Sequence, residues 1–516
     1  MSDQTEKLRK FRDELYQLFP YRADALFNLL DALCASGHQS RSVIELSESP
    51  AFSRKYSSIT DGIADGLSQV CFSDIEKLVF KTTAEPERAA LFFVDATPNP
   101  RPFARKLTER SMVHSPNPAP GNKPICVGHQ YSVLTMAPAH REHADRNWQL
   151  PLSVKRVHVE EKSNEVGMQQ LVEAIEQHEL DDKLTINAGD TLYGTESCRK
   201  TAVSKKNLVH LFRLANHRNV YCLPSDKDRK TKGAGRKKVY GRKIQLSNPK
   251  THSQAASVSF KEFTSKRGKH YQAELTLFTD LLLRGSRHFH AENHPFNMVR
   301  VIVRDKHNNL VFKRPLWIAV HGKRRHELSP EFIYKAYRQR YDIEHYFRFG
   351  KQKLLMDKYQ TPDTRHEESW WRLTALAYVQ LFLASKMADS LPRPWERYLP
   401  EFTKDSSQSS KDVKSPSQTQ RCFANILKTI GTPAKEPVPR GKPVGRCKAV
   451  VPARRQVEPI HFKKKTPTKN TKKVINRGIE KAALKPKPKE IDCFLNLMLL
   501  VVKMVGYSPR DIVMQT

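Results

Sequence analysis

Residues 329–355 read SPEFIYKAYRQRYDIEHYFRFGKQKLL, and within them Tyr337, Arg340, Glu344 and Lys351 stand in the spacing Y-x2-R-x3-E-x6-K. At roughly 100° of rotation per residue, the four side chains fall within an arc of about 60° on one continuous helix. The arc aligns an acceptor carboxylate with a fork-shaped cation, an ammonium and a phenol, a set suited to holding a metal ion and gripping phosphates beside it. Phe332, Ala336, Ile343, Phe347 and Leu354 form an apolar stripe next to the arc. The helix is therefore expected to bury one flank and to turn Glu344 across the rim of the core into a cleft. Ser329 and Pro330 supply an N-cap and a first-turn proline. A charged, solvated helix face has the same composition, so this segment needs partners elsewhere in the chain.

The flanking sequence provides an α/β frame. Downstream, ESWWRLTALAYVQLFLASKMA (368–388) is a largely apolar helix expected to pack beneath the Glu344 helix. Upstream, residues 216–328 open with the basic, glycine-rich loop DRKTKGAGRKKVYGRK and continue as AELTLFTDLLL, NMVRVIVRD and LVFKRPLWIAV, read as a β-rich insertion of antiparallel strands. Before it, AALFFVD, KPICVGHQYSVLTMA, LPLSVKRVHVE, KLTINAGD and NLVHLFRLA read as strands, with helices at NEVGMQQLVEAIEQHEL and TESCRKTAVSKK. Three strands, then helix, strand, helix and strand predict a mixed sheet with helices on its faces. Asp95 closes AALFFVD and Asp190 closes KLTINAGD, each expected at a strand end. If the two strands are neighbours, both carboxylates can meet Glu344 and share Mg²⁺, which takes few carboxylates and completes its octahedron with phosphate oxygens. Taken singly, strand-end aspartates are ordinary turn formers.

Residues 1–85 read as several helices, with a possible DNA-end-binding helix-turn-helix around Ser49–Pro50 that would present Arg54, Lys55 and Tyr56, or else an ordinary helical cap. The chain has 516 residues and a formal net charge of +35. Residues 432–490 carry eighteen Lys and Arg against four acids, so most of the surplus lies on the body of the protein and calls for a polyanionic partner, nucleic acid first. Residues 401–490 are expected to form a disordered basic tail, since a Ser/Gln/Lys and then Pro/Lys composition buries no core, and 491–516 a short amphipathic helix without assigned role. The eight cysteines show no C-x2-C pair, and no stretch reaches the length of a membrane span, which places the protein in a reducing compartment, cytoplasmic and nucleoid-associated. No P-loop or G-x-G-x-x-G is present, so no nucleotide cofactor is expected; His288 and His290 lack the further ligands of a zinc site.

With these residues in view, the chain resembles the DDE transposases of bacterial insertion sequences, in the group carrying the Tyr-Arg-Glu-Lys signature. The likeness covers about residues 85–390: F-F-V-D at Asp95, N-A-G-D-T-L-Y-G at Asp190 and the ungapped signature at 337–351. It implies a ribonuclease H-like core over 86–400, interrupted by the β-rich insertion at 216–328. Asp95, Asp190 and Glu344 would ligate Mg²⁺, with Mn²⁺ able to substitute. Arg340 and Lys351 would hold DNA phosphates, with Tyr337 beside the cleaved strand. Arg236, Lys237 and Lys238 fit a DNA-contacting loop. Trp317 is either an insertion-domain residue stacking on a flipped base, as in relatives that pass through a hairpin, or a core residue of the strand RPLWIAV. The implied activity is cleavage of double-stranded element ends and joining of their 3′-hydroxyls to target DNA, in a complex containing at least a homodimer. The alternatives are an inactive or domesticated DNA-binding repressor and a nuclease that cuts without joining. The long tail and final apolar segment depart from the family pattern.

Overall fold

The computed structural model describes residues 3–36, 40–84, 89–115, 124–138, 147–225, 238–264, 268–388, 413–438 and 454–462, all within the unit Met1–Phe462. The amphipathic helix expected at 491–516 and most of the glycine-rich loop lie outside these residues.

Four helices open the chain: α1 (Asp3–Gln17), α2 (Ala23–Ala35), α3 (Ser57–Asp61) and α4 (Phe72–Thr83). Helix α2 is apolar almost all round and buries Ala25 through Cys34, as a helix enclosed by others must. The stretch considered as a helix-turn-helix forms a 3-10 turn, Ile44–Glu48, and then α3, which runs on without a break through a π turn, Gly62–Gly66, into a 3-10 turn, Leu67–Gln69. Arg54, ahead of α3, donates to the Lys435 carbonyl and lies 3.7 Å from Asp24.

A twelve-stranded sheet follows. Its strands are β1 (Ala90–Pro100), β2 (Ser111–His114), β3 (Ile125–Met136), β4 (Leu150–Val157), β5 (Thr185–Gly189), β6 (Leu208–Leu214), β7 (Asn219–Cys222), β8 (Lys243–Gln245), β9 (Ser257–Thr264), β10 (His270–Leu282), β11 (Phe296–Asp305) and β12 (Leu316–His321). The spatial order is β2-β3-β1-β5-β6-β12-β11-β10-β7-β8, with β4 also on β3 and β9 also on β10. Strands β1, β5 and β6 run parallel to one another, whereas β3 lies antiparallel to β1. Helices α5 (Ser163–Gln177) and α6 (Glu196–Ser204) supply the crossovers. The parallel strands are buried on both faces (Phe92, Phe93, Val94, Ile186, Ala188, Val209 and Leu211 are inaccessible), which explains their unbroken apolar runs. The residues expected as a β-rich insertion do form strands, and they extend the same sheet, because β12 pairs antiparallel with β6. Strand β2 is only four residues long, too short to show a periodicity.

The segment carrying Glu344 differs from expectation. It forms two helices, α7 (Pro330–Gln339) and α8 (Asp342–Lys353), instead of one. Arg340 and Tyr341 keep helical dihedrals, but the amides of Tyr341, Ile343 and Glu344 bond three residues back, to Arg338, Arg340 and Tyr341. This tightened turn advances faster than an α-helix and shifts Glu344 and Lys351 around the axis relative to Tyr337. Ser329 caps α7 through the Phe332 amide, but Phe332 itself is 38% exposed and leaves the predicted apolar stripe. Helix α9 (Thr364–Ala384) lies under α8, with Tyr378 edge-on to Tyr346 and Phe349.

The expectation of a disordered tail from 401 is corrected at Pro416–Ile430, which form α10. Ser415 and Gln418 make a capping box, and Cys422, Phe423, Ile426 and Ile430 pack the helix against α2 and α9. Average composition hid this helical spacing. Residues 454–462 also rest on the body, His461 bridging to Ser111 of β2.

Candidate active site

Strands β1 and β5 pair in parallel up to Phe93 and Ala188. Two residues further along each strand stand Asp95 and Asp190, so their backbones emerge side by side on the same face of the sheet. Asp190 ends β5 because its carboxylate accepts the Leu192 amide at 2.7 Å, turning the chain into the 3-10 segment Thr191–Gly194. Asp95 does not close its strand as expected: β1 runs on to Pro100 because β3 continues to pair with it, Asp95 opposite Val133 and Pro100 opposite Gly128. Helix α8 packs against β1 and brings Glu344, in its first turn, to the same end of the sheet.

The fields of these groups overlap. Burial pushes the Asp95 carboxyl up to about 6, and the charges of Asp190 and Glu344 push in the same direction. Arg340 and the Ala96 amide, 2.8 Å from Oδ1, oppose them. Arg340 holds Nη1 3.5 Å from Oδ2 of Asp95 and lies 5.7 Å from the centre of the Tyr337 ring. Tyr337 is buried, which raises its phenol. Among the described residues, no three His, Cys, Asp or Glu side chains are arranged as a ready-made metal-holding group. The donor set is nonetheless all carboxylate, with one half-buried member set against two like charges. That is an electrostatic deficit a hard divalent cation relieves.

Lys351 does not project toward solvent. Its ammonium donates to Thr97 Oγ1 and to the Pro98 carbonyl, both at 2.7 Å, and lies 5.9 Å from the Trp371 ring. Burial lowers it to about 8. In this structure it clamps the end of α8 to β1 instead of reaching for phosphate. Trp317 is corrected as well: it is 1% exposed, packs on His252 and Phe278, and donates Nε1 to Asn216, so it offers no face to a base. The core identity is the right one. Arg236 and Lys237 lie outside the described residues, and Lys238 is exposed.

Several supporting residues had no legible signal. Tyr193 is buried beneath the pair of aspartates, and a Cβ on Gly189 would come within 2.6 Å of its Cβ, so the glycine before Asp190 allows this close approach. His210 joins Asn187 (3.0 Å) and the Tyr193 carbonyl (3.1 Å), and burial lowers it to about 4, leaving it neutral at physiological pH. Next to Asp190, a cavity of about 480 Å³ is lined by Thr191, Arg213, Asn216, His217, Ser247 and Arg314 among others, with no acid in its wall.

A family model described as DDE superfamily endonuclease matches residues 14–274, half of the chain. The chain belongs to this family. The matched residues include Asp95 and Asp190 and end before Glu344. No curated protein matches the sequence. A mixed α/β protein with a twelve-stranded sheet is compatible with a DDE nuclease fold, and the family points to an enzyme acting on DNA through divalent metal. No described helix is long and apolar enough to cross a membrane.

Proposed function

We propose that the chain is a DNA transposase of the Tyr-Arg-Glu-Lys group, which cleaves insertion-sequence ends and joins their 3′-hydroxyls to target DNA. The observation that carries this reading is the placement of Asp95 and Asp190 on adjacent parallel strands, level with each other, with Glu344 brought to them by α8. The strand order supports a ribonuclease H-like core, since an antiparallel β3 flanks β1 and the parallel β5 and β6 follow.

Asp95, Asp190 and Glu344 would hold Mg²⁺ or Mn²⁺, which when bound supplies charge stabilisation to the attacking and leaving oxygens of an in-line displacement. Asp95 must be ionised for this, and near neutral pH it is. Arg340, now leaning on Asp95, has the fork to grip a phosphate once the carboxylate is otherwise neutralised. Tyr337 stacks under that guanidinium and limits its swing. Joining two ends calls for two copies of the chain in the working complex.

A second reading, a DNA-binding protein without catalysis, is favoured by one observation: Arg340 already neutralises Asp95, and no three-ligand group is arranged among the described residues. Incubation of the protein with its own element ends and Mg²⁺ separates the readings. Cleavage followed by strand joining supports the transposase. Cleavage alone leaves the nuclease, and binding without cleavage leaves the inactive protein.

A further inference from the structure

Phe103 is 94% exposed, the most exposed large apolar residue among those described. It sits in the loop 101–110, which directly continues β1, and this loop is rigidly built. Arg110, 3% exposed, donates to five backbone carbonyls: Leu107 (3.3 Å), Arg101 (3.4 Å), Pro102 (3.5 Å), Arg105 (3.3 Å) and Glu458 (3.3 Å). Its five N–H groups draw the loop around a buried guanidinium. Arg101 fixes the base of the loop, bonding the buried Glu367 at 3.1 Å and the carbonyls of Asp357 and Tyr359. A loop ordered to this degree, with a phenyl ring held out in water, displays that ring for contact with something else.

The chemistry around the ring selects the partner. Arg105 and Lys106 are exposed beside it. The segment 454–462 lies against the same loop through the Glu458 amide to Arg105 (2.9 Å) and the His461 amide to Arg110 (2.8 Å). It adds exposed Arg454 and Arg455 and a second exposed ring, Phe462. The nearby acid Glu109 is engaged by Arg156 and His158, which leaves Glu458 as the acid of the segment. Aromatic rings among cations are the surface that binds an unpaired nucleic-acid strand, whose bases stack while its phosphates pair.

We propose that Phe103 is a stacking platform for an unpaired base of a single DNA strand, with Lys106, Arg454 and Arg455 carrying its phosphates. This rests on the DNA-processing reading above. The test uses the full chain and a single-stranded oligonucleotide containing 2-aminopurine, with a blunt duplex as comparison. Phe103→Ala weakens single-strand affinity about tenfold and abolishes the stacking-dependent fluorescence change, Phe103→Trp restores both, and duplex affinity stays unchanged. Lys106→Ser lowers the salt dependence of single-strand binding. Unchanged single-strand affinity in Phe103→Ala, in a protein that still cleaves DNA, overturns the platform and leaves the enzyme reading intact. An altered oligomeric state in Phe103→Ala with unchanged DNA binding overturns it in favour of a protein interface. Absence of both DNA binding and cleavage in the wild-type chain overturns both readings.

Discussion

Arg340 and Asp95, 245 residues apart in sequence, meet with Nη1 3.5 Å from Oδ2, and both side chains are largely withdrawn from solvent. The pair joins the turn between α7 and α8 to the middle of β1, so the cation proposed to grip phosphate and the carboxylate proposed to hold metal neutralise each other in this structure. Arg340 is the largest influence that lowers Asp95 against the upward push of burial. Arg340→Ala therefore raises the Asp95 carboxyl above its present value of about 6. The acid limb of the cleavage pH profile moves to higher pH, and DNA binding weakens with a shallower salt dependence. An unmoved acid limb argues against Asp95 as the titrating group.

Asp95 also makes stability fall as pH rises. Its folded value of about 6 lies above the ordinary 3.8, so between these pH values the native state holds the proton more tightly than the unfolded chain, and stability is lost across that window. Asp95→Asn is expected to be more stable than the parent by on the order of 2 kcal/mol at pH 7, with the advantage vanishing near pH 4, while cleavage is abolished. Urea unfolding at the two pH values measures this directly.

Glu344→Gln keeps the shape of the first turn of α8 and removes one charge from the proposed ligand set. Cleavage is lost, DNA affinity is nearly unchanged because no phosphate contact is touched, and Mn²⁺ binding followed by calorimetry weakens. Wild-type cleavage by this variant removes Glu344 from the site.

The opposite pH sign belongs to Glu367, which is fully buried among His129, Tyr131, Asn99 and Arg101. Burial pushes it up, but His129 and Arg101 prevail and hold it down to about 2. Its stabilisation is fully present above pH 4.5 and is lost as pH falls toward 2. Glu367→Ala leaves Arg101 buried without its partner and costs about 3–5 kcal/mol, read as a fall in melting temperature. The same variant loosens the base of the loop that carries Phe103.

Local pattern carried far in this chain. The continuous apolar runs marked β1, β5 and β6, because strands buried on both faces need no polar alternation. Ser329–Pro330 marked the start of α7, and the spacing from Tyr337 to Lys351 singled out Glu344. Three features were not legible for three different reasons. Asp95 looked like a strand end because an acid after FFV breaks the apolar run, whereas hydrogen bonding to β3 does not depend on that side chain. The turn between α7 and α8 uses ordinary helical dihedrals and residues, and only its hydrogen bonds depart from the α pattern. Helix α10 was hidden because an averaged polar composition says nothing about where a few apolar residues fall on a helix face.

What the amino-acid sequence determined alone was the inventory: a strongly basic α/β chain, three acids at recognisable positions and the cations near them. Residue type and spacing encode local geometry and charge, which require no knowledge of distant neighbours. The tertiary structure decided which groups meet. It set Asp95 level with Asp190, turned Arg340 onto Asp95, committed Lys351 to β1, buried Trp317 and held Phe103 outward. Each of these depends on strand register, sheet order or packing across hundreds of residues, where many contacts are satisfied together and no short stretch records the outcome.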